Sequence, residues 1–203
     1  MANFKMSVFD PTRQNGQLET KIAAGLSKLA EVLRVLLWDQ AKQHGLSPIQ
    51  IQILVFVHHH ANLEATVSEL AREFTLTKPT ISDAVKSLEA KGLIAKHTDA
   101  ADTRSYAIKL TATGRKLVKA TDGYADMVAT AITPMESNSK VALWNGIAKL
   151  IEHFATHGII QPQRMCYHCK HYQQKANGGY CALIRIPLKP ADVRLDCPEF
   201  ESV

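Results

Sequence analysis

Four cysteines stand at positions 166, 169, 181 and 197 of a 203-residue chain, and the first 165 residues contain none. Their spacing is Cys166-x2-Cys169-x11-Cys181-x15-Cys197. A close pair chelates from one turn and two later thiols close the site, so four thiolates at Cys166, Cys169, Cys181 and Cys197 suit a tetrahedral structural Zn²⁺. The segment from residue 161 onward carries few large apolar side chains, among them Met165, Leu183, Ile184, Leu188 and Leu195. A piece of about 40 residues with so small a core needs a staple, and metal binding supplies folding energy directly. Arg164, Lys170, Arg185 and Arg194 offset the negative charge of the thiolates. The later pair lacks the compact spacing of a zinc ribbon, and Cys197-Pro198 has the ending of some ferredoxin runs. An iron–sulfur cluster and a reversible disulfide therefore remain as alternatives to zinc. His168 and His171 read as exposed loop residues beside the thiols.

The rest of the composition is that of a soluble globular protein, with 46% hydrophobic and 21% charged residues. Lys plus Arg number 24 against 19 for Asp plus Glu, a net +5 that permits a polyanionic partner without requiring one. The apolar stretch Val32–Trp38 is broken by Arg34 and falls far short of the about 20 residues a membrane span needs. No run of signal-peptide length opens the chain, so the expected location is the cytoplasm, with no membrane partner. There is no glycine-rich phosphate loop, paired His-Glu metal motif or nucleophile elbow, so no enzyme activity is expected.

The elements that position these residues follow from periodicity and caps. Residues 1–17 show no sustained period and read as an arm. Ile22, Leu26, Leu29, Leu33, Leu36 and Leu37 recur at helical steps and predict a long helix from Leu18 to His44. Its apolarity exceeds what one core needs and suits a partner subunit. Ser47-Pro48 starts a second helix, with Ile51, Leu54, Val55 and His58 inward. His58, His59 and His60 end it on three different faces, so they do not converge on one metal. Thr66 or Ser68 opens a short third helix with Val67, Leu70, Ala71 and Phe74 inward. Thr77 caps a fourth helix from Lys78 to Lys91. Strands at 93–97 and 104–110 enclose a polar turn. A fifth helix runs from Thr111 to Ile132 and a sixth from beyond Pro134 to His157. Trp38 and Trp144 lie on apolar helix faces and read as core or interface packing. Helix-turn-helix followed by a hairpin is a winged helix.

On the helix from Lys78, Ile81, Ala84, Val85 and Leu88 form the buried stripe. The opposite face carries Pro79, Asp83, Lys86 and Ala90, flanked by Thr80, Ser82 and Ser87, with Lys78 in the first turn. Such a small polar face suits entry into a major groove about 12 Å wide. The candidate DNA-binding residues are Lys78, Pro79, Thr80, Ser82, Asp83 and Lys86 on the helix, with Lys96 and Arg104 on the wing. Arginine in a narrow minor groove is a common use of a wing, and Asp102 stands where it can hold the Arg104 guanidinium.

The stretches LSPIQIQILVFV, VSELAREFTLTKPTISDAVKSLEAKGLI and DAADTRSYAIKLTATG resemble the MarR family of dimeric winged-helix transcription regulators. The marks are Leu70-Ala71, Ile81-Ser82, Leu88-Glu89, Gly92-Leu93-Ile94, Asp102-Thr103-Arg104 and Leu110-Thr111-x-x-Gly114, over residues 18–155. The resemblance implies helix 78–91 in the major groove, the wing 94–110 in the minor groove, and a homodimer formed by the first and last helices. It also implies a palindromic double-stranded DNA operator with half-sites one helical turn apart, and room for a small-molecule effector that no residue here identifies. Asp83 departs from the arginine often found there, and the cysteine tail is foreign to the family.

The expected protein is mainly α: a winged helix-turn-helix with long dimerisation helices and a two-stranded wing, plus a small metal-stapled C-terminal module. Its parts are an arm (1–17), the winged-helix and dimerisation domain (18–160) and the four-cysteine module (161–203). The expected function is sequence-specific DNA binding by a transcription regulator, read as a repressor. The alternatives are a redox- or iron–sulfur-sensing regulator whose tail controls DNA binding, and a protein-interaction adaptor.

Overall fold

The computed structural model describes residues 7–61, 63, 65–98, 106–176 and 178–203. The chain is mainly helical. Helices α1 (Pro11–Gly16), α2 (Leu18–Gln43), α3 (Pro48–His59), α4 (Val67–Glu73) and α5 (Lys78–Ala90) precede the hairpin β1 (Ile94–Thr98) and β2 (Tyr106–Leu110). Helices α6 (Ala112–Thr121), α7 (Asp126–Ile132) and α8 (Ser137–Thr156) follow, and the tail forms strands β3 (Tyr172–Lys175), β4 (Gly178–Cys181) and β5 (Ile186–Leu188). Contacts divide the chain into two units, residues 1–65 with 84–127, and residues 66–83 with 128–203.

Local chemistry explains most helix starts. Ser47 and Gln50 form a reciprocal capping box ahead of Pro48, and Thr66 does the same with Glu69 at α4, each satisfying two backbone donors that a helix end leaves open. Thr77 Oγ1 accepts the Thr80 N–H at 3.3 Å at the start of α5. Pro11 sits in the first turn of α1 behind Asp10, whose carboxylate accepts from the Thr12 and Arg13 amides. The expected arm thus contains a helical turn, because capping stabilises a six-residue helix too short to show periodicity.

In the first unit, Leu37, Ala41 and Ile51 form a core joined by Leu46, Val55 and Tyr124. Helix α3 packs on α6 and β2, and the two strands pair antiparallel with Ile94 opposite Leu110. The Ile108 N–H donates to the Ala65 carbonyl at 2.8 Å, which ties the stretch before α4 to the wing. Thr111 locks α6 to β1. Its amide donates to the Leu93 carbonyl at 3.1 Å, its hydroxyl to the Gly92 carbonyl at 2.7 Å, and its Oγ1 accepts from Gly114 at 3.0 Å. The single helix expected from Thr111 to Ile132 is divided by a 3₁₀ turn, Asp122–Ala125. There the Thr121 hydroxyl donates back to the Leu117 carbonyl at 3.1 Å, and the turn carries Tyr124 to the Leu37 cluster.

In the second unit, Met165 and Val193 of the tail are buried with Ala148 of α8, alongside Trp144 and Ile151. The tail sheet runs β3-β4-β5, antiparallel throughout, with Tyr172 opposite Cys181 and Cys181 opposite Ile186. The tail therefore has a core built on α8 in addition to whatever its thiols bind.

Candidate nucleic-acid interface and four-thiol cavity

On α5, Ile81, Val85 and Leu88 are fully buried and Ala84 is nearly so. Each large apolar side chain so placed contributes about 1.5–3 kcal/mol, which fixes the helix's rotation about its own axis. That rotation leaves Lys78, Pro79, Thr80, Asp83 and Lys86 exposed and Ser82 half-buried. The Thr80 hydroxyl lies 2.8 Å from the Thr77 hydroxyl, so the first turn presents two linked hydroxyls beside Lys78. All six helix residues singled out from the sequence lie on one helix, its buried stripe turned away from them.

The wing is different in detail. Lys96 Nζ contacts Glu89 Oε2 at 2.6 Å and stands 4.9 Å from the Tyr106 ring centroid. The hydrogen bond to the Glu89 carboxylate raises the Lys96 pKa against an opposing desolvation. Lys96 is half-buried and ties the end of α5 to the hairpin, a role that the sequence reading missed because it pairs residues on different elements. Arg104 and Asp102 lie outside the described residues. A cleft in the same unit is lined by His58, His97, Lys109 and Arg115 with Val57 and Leu110.

Of the three histidines at the end of α3, His58 and His59 meet edge-on with ring centroids 4.9 Å apart. His60 Nδ1 is 2.9 Å from the Phe56 carbonyl, while His59 Nε2 is 3.6 Å from Asp122.

Helix α2 buries only Thr20, Leu37 and Ala41 along its 26 residues. Leu18, Ile22, Leu26, Leu29, Leu33 and Trp38 remain exposed on it. On α8, Val141, Leu143, Leu150 and Phe154 are exposed in the same way. Apolar surface of this extent marks an interaction site.

The four cysteines line one cavity, walled by Leu183, Ile184 and Leu188. None is in a disulfide. Among the described residues no three His, Cys, Asp or Glu side chains are arranged to hold an ion as they stand. Two donors from Arg194 nevertheless meet the sulfurs. The Arg194 amide donates to Cys166 Sγ at 3.2 Å, and Arg194 Nη1 donates to Cys197 Sγ at 3.6 Å. Burial pushes the Cys166 thiol pKa up. The Arg194 amide opposes that shift, and the Cys197, Cys181 and Cys169 sulfurs add to it, as charges close enough to repel do. A soft dication is the group that relieves such mutual repulsion. His171 lines the same cavity, with Nε2 held at 2.9 Å by Glu201. His168 is half-buried rather than exposed. Its Nδ1 is 3.2 Å from the Gln163 carbonyl, and its buried Nε2 has no hydrogen-bond partner among the described residues.

Residues 44–105 match the model of the MarR family. The fold is similar to that of S. aureus MepR in its DNA-binding conformation, at 24% identity and a TM-score of 0.59, over 66% of this chain and 98% of that one. The S. aureus MepR–DNA complex matches at 24% identity and a TM-score of 0.58, over 64% and 96% of the two chains. A MarR transcriptional regulator from Methanosarcina mazei Go1 matches at 18% identity and a TM-score of 0.57, over 66% and 96%. Over residues 44–105 the sequence is similar to the MarR family, and the chain shares the fold of the solved structures it matches.

Proposed function

We propose that this chain is a sequence-specific double-stranded DNA-binding transcription regulator acting as a homodimer, with a zinc ion held by Cys166, Cys169, Cys181 and Cys197. The observation that carries the DNA reading is α5: a buried apolar stripe opposite an exposed polar face of Lys78, Pro79, Thr80, Asp83 and Lys86. A helix presented this way enters a major groove, where Lys78 and Lys86 meet phosphates or base edges and Thr80 and Ser82 donate hydrogen bonds. MepR, whose fold this chain shares, has been seen in complex with DNA. The exposed apolar faces of α2 and α8 support a second copy as the partner, and two copies read a palindrome.

Zinc supplies a fixed positive centre that holds four thiolates together. In this chain, the Arg194 amide and guanidinium orient Cys166 and Cys197, and Leu183, Ile184 and Leu188 line the same cavity. The donor set is all sulfur, which suits Zn²⁺ and suits an iron–sulfur cluster as well. Elemental analysis and the absorption spectrum of the purified chain separate them, since zinc is colourless.

Duplexes selected from a random pool, titrated by fluorescence anisotropy at several salt concentrations, test the DNA reading. Affinity falls steeply with salt, and Lys86→Ala lowers the log–log salt slope by about one if it neutralises a phosphate. Failure to enrich any sequence, or affinity unchanged in both Lys78→Ala and Lys86→Ala, overturns it. Repression, rather than activation, is tested by placing the selected operator ahead of a reporter.

A further inference from the structure

The turn between α4 and α5 is strained. Thr75 has φ 52°, a left-handed conformation that a β-branched residue disfavours. Glycine is the usual occupant of this position just beyond a helix. The Thr75 amide donates to the Arg72 carbonyl at 3.2 Å and the Leu76 amide to the Ala71 carbonyl at 2.9 Å. These two bonds close the end of α4 at the point where the chain turns toward α5.

That turn shares a cleft with the cysteine tail. Glu73 and Thr75 line it together with Gln163, Arg164, Leu195 and Asp196, all within one unit of the chain. The tail residues in the cleft are neighbours of the thiols. Arg164 Nε donates to Asp196 at 2.9 Å, and Arg164 Nη2 donates to the Cys197 carbonyl at 3.1 Å. The Cys197 amide donates to the Arg164 carbonyl at 3.1 Å, and the Cys166 amide to the Arg194 carbonyl at 3.2 Å. Residues 164–166 and 194–197 thus form a short ladder. One side of it presents Cys166 and Cys197 to the thiol cavity, and the other places Arg164, Leu195 and Asp196 along the cleft that Glu73 and Thr75 also line.

We infer that occupancy of the thiol centre by a metal ion controls DNA reading, by bracing the strained Thr75 turn through the ladder of residues 164–166 and 194–197. This rests on the readings of the thiols as a metal centre and of α5 as the DNA-reading helix. Drawing Cys166 and Cys197 together fixes the ladder, and the fixed ladder holds the turn in the conformation that Thr75 alone disfavours. Removing the ion frees the ladder, and the turn relaxes.

The test uses the full chain, stripped with a chelator or loaded with Co²⁺, whose thiolate absorption reports occupancy. Hydrogen exchange is followed at the amides of residues 73–80 other than Pro79, and affinity is measured for a duplex from the selection above. Stripping is expected to speed exchange at 73–80 and to weaken operator binding about tenfold, within the usual range of coupling between two sites. Thr75→Gly, which removes the strain, takes up Co²⁺ as the parent does, but its operator affinity changes less than about twofold on stripping. Equal exchange at 73–80 in the two states of the parent overturns the inference, as does a Thr75→Gly response as large as the parent's. A chain that takes up no Co²⁺ overturns the metal centre and this inference with it. Exchange that responds in a chain binding no duplex leaves the coupling standing and overturns the DNA reading alone.

Discussion

Gly114→Ala is the substitution whose sign the structure decides against simple propensity. In the interior of a helix, alanine is better than glycine by about 1 kcal/mol. Gly114 lies in the first turn of α6, where a Cβ would meet the Leu93 carbonyl oxygen at 2.0 Å and its carbon at 3.0 Å. Both are backbone atoms of the segment entering β1, so no side-chain rotation relieves the contact. The helix must retreat by about 1 Å or more, which costs about 1–3 kcal/mol as overpacking. The retreat also pulls Thr111 from the Gly92 and Leu93 carbonyls, bonds worth about 1 kcal/mol each. The expected net loss is about 3 kcal/mol, after subtracting the propensity gain. Urea unfolding with linear extrapolation measures it, provided the slope stays constant. Gly146 is the control. It lies in α8 with nothing within 4 Å of its added Cβ, so Gly146→Ala is expected to stabilise by about 0.5–1 kcal/mol. A Gly114→Ala variant within about 0.5 kcal/mol of the parent, the range of a neutral surface change, would refute the packing argument.

Three further outcomes are expected. Thr66→Ala removes the hydroxyl that accepts the Glu69 amide at 3.2 Å and lowers stability by about 0.5–2 kcal/mol, measured in the same unfolding series. Leu29→Glu places a charge on the exposed apolar face of α2 and converts a dimer to a monomer by sedimentation equilibrium; an unchanged mass removes that face from the interface. The Glu201 carboxyl is held below the usual glutamate range by hydrogen bonds from Lys170 first and His171 second. Its contribution to the tail is therefore present above the ordinary glutamate value and is lost as pH falls through the lowered one. Carboxyl-carbon NMR titration of Glu201 is expected to move back toward the ordinary value in Lys170→Met.

What is legible in this sequence is what short-range physics controls. Ser47-Pro48, Thr66 with Glu69, and Thr77 announce helix starts because a cap acts within three residues of itself. The α5 stripe of Ile81, Ala84, Val85 and Leu88 was readable because a helix places those positions on one side whatever lies around it, and the exposed face of candidate DNA contacts followed by subtraction. The spacing of the cysteines proposed a common site without any coordinates.

The rest depended on residues far apart in sequence. Nothing near Lys96 announces that Glu89 will hold its ammonium, and nothing near Gly114 announces the Leu93 carbonyl. The interruption after Thr121 escaped the helical pattern because the apolar period continues through it, while Tyr124 is drawn to the Leu37 core. The α1 turn was too short to have a period at all. In the tail, spacing suggested which thiols belong together, but only folding brought Met165 and Val193 onto α8 and set Arg164, Leu195 and Asp196 in one cleft with Thr75. Local free energies choose helices and caps one segment at a time, whereas burial and long-range hydrogen bonds exist only once the segments have met.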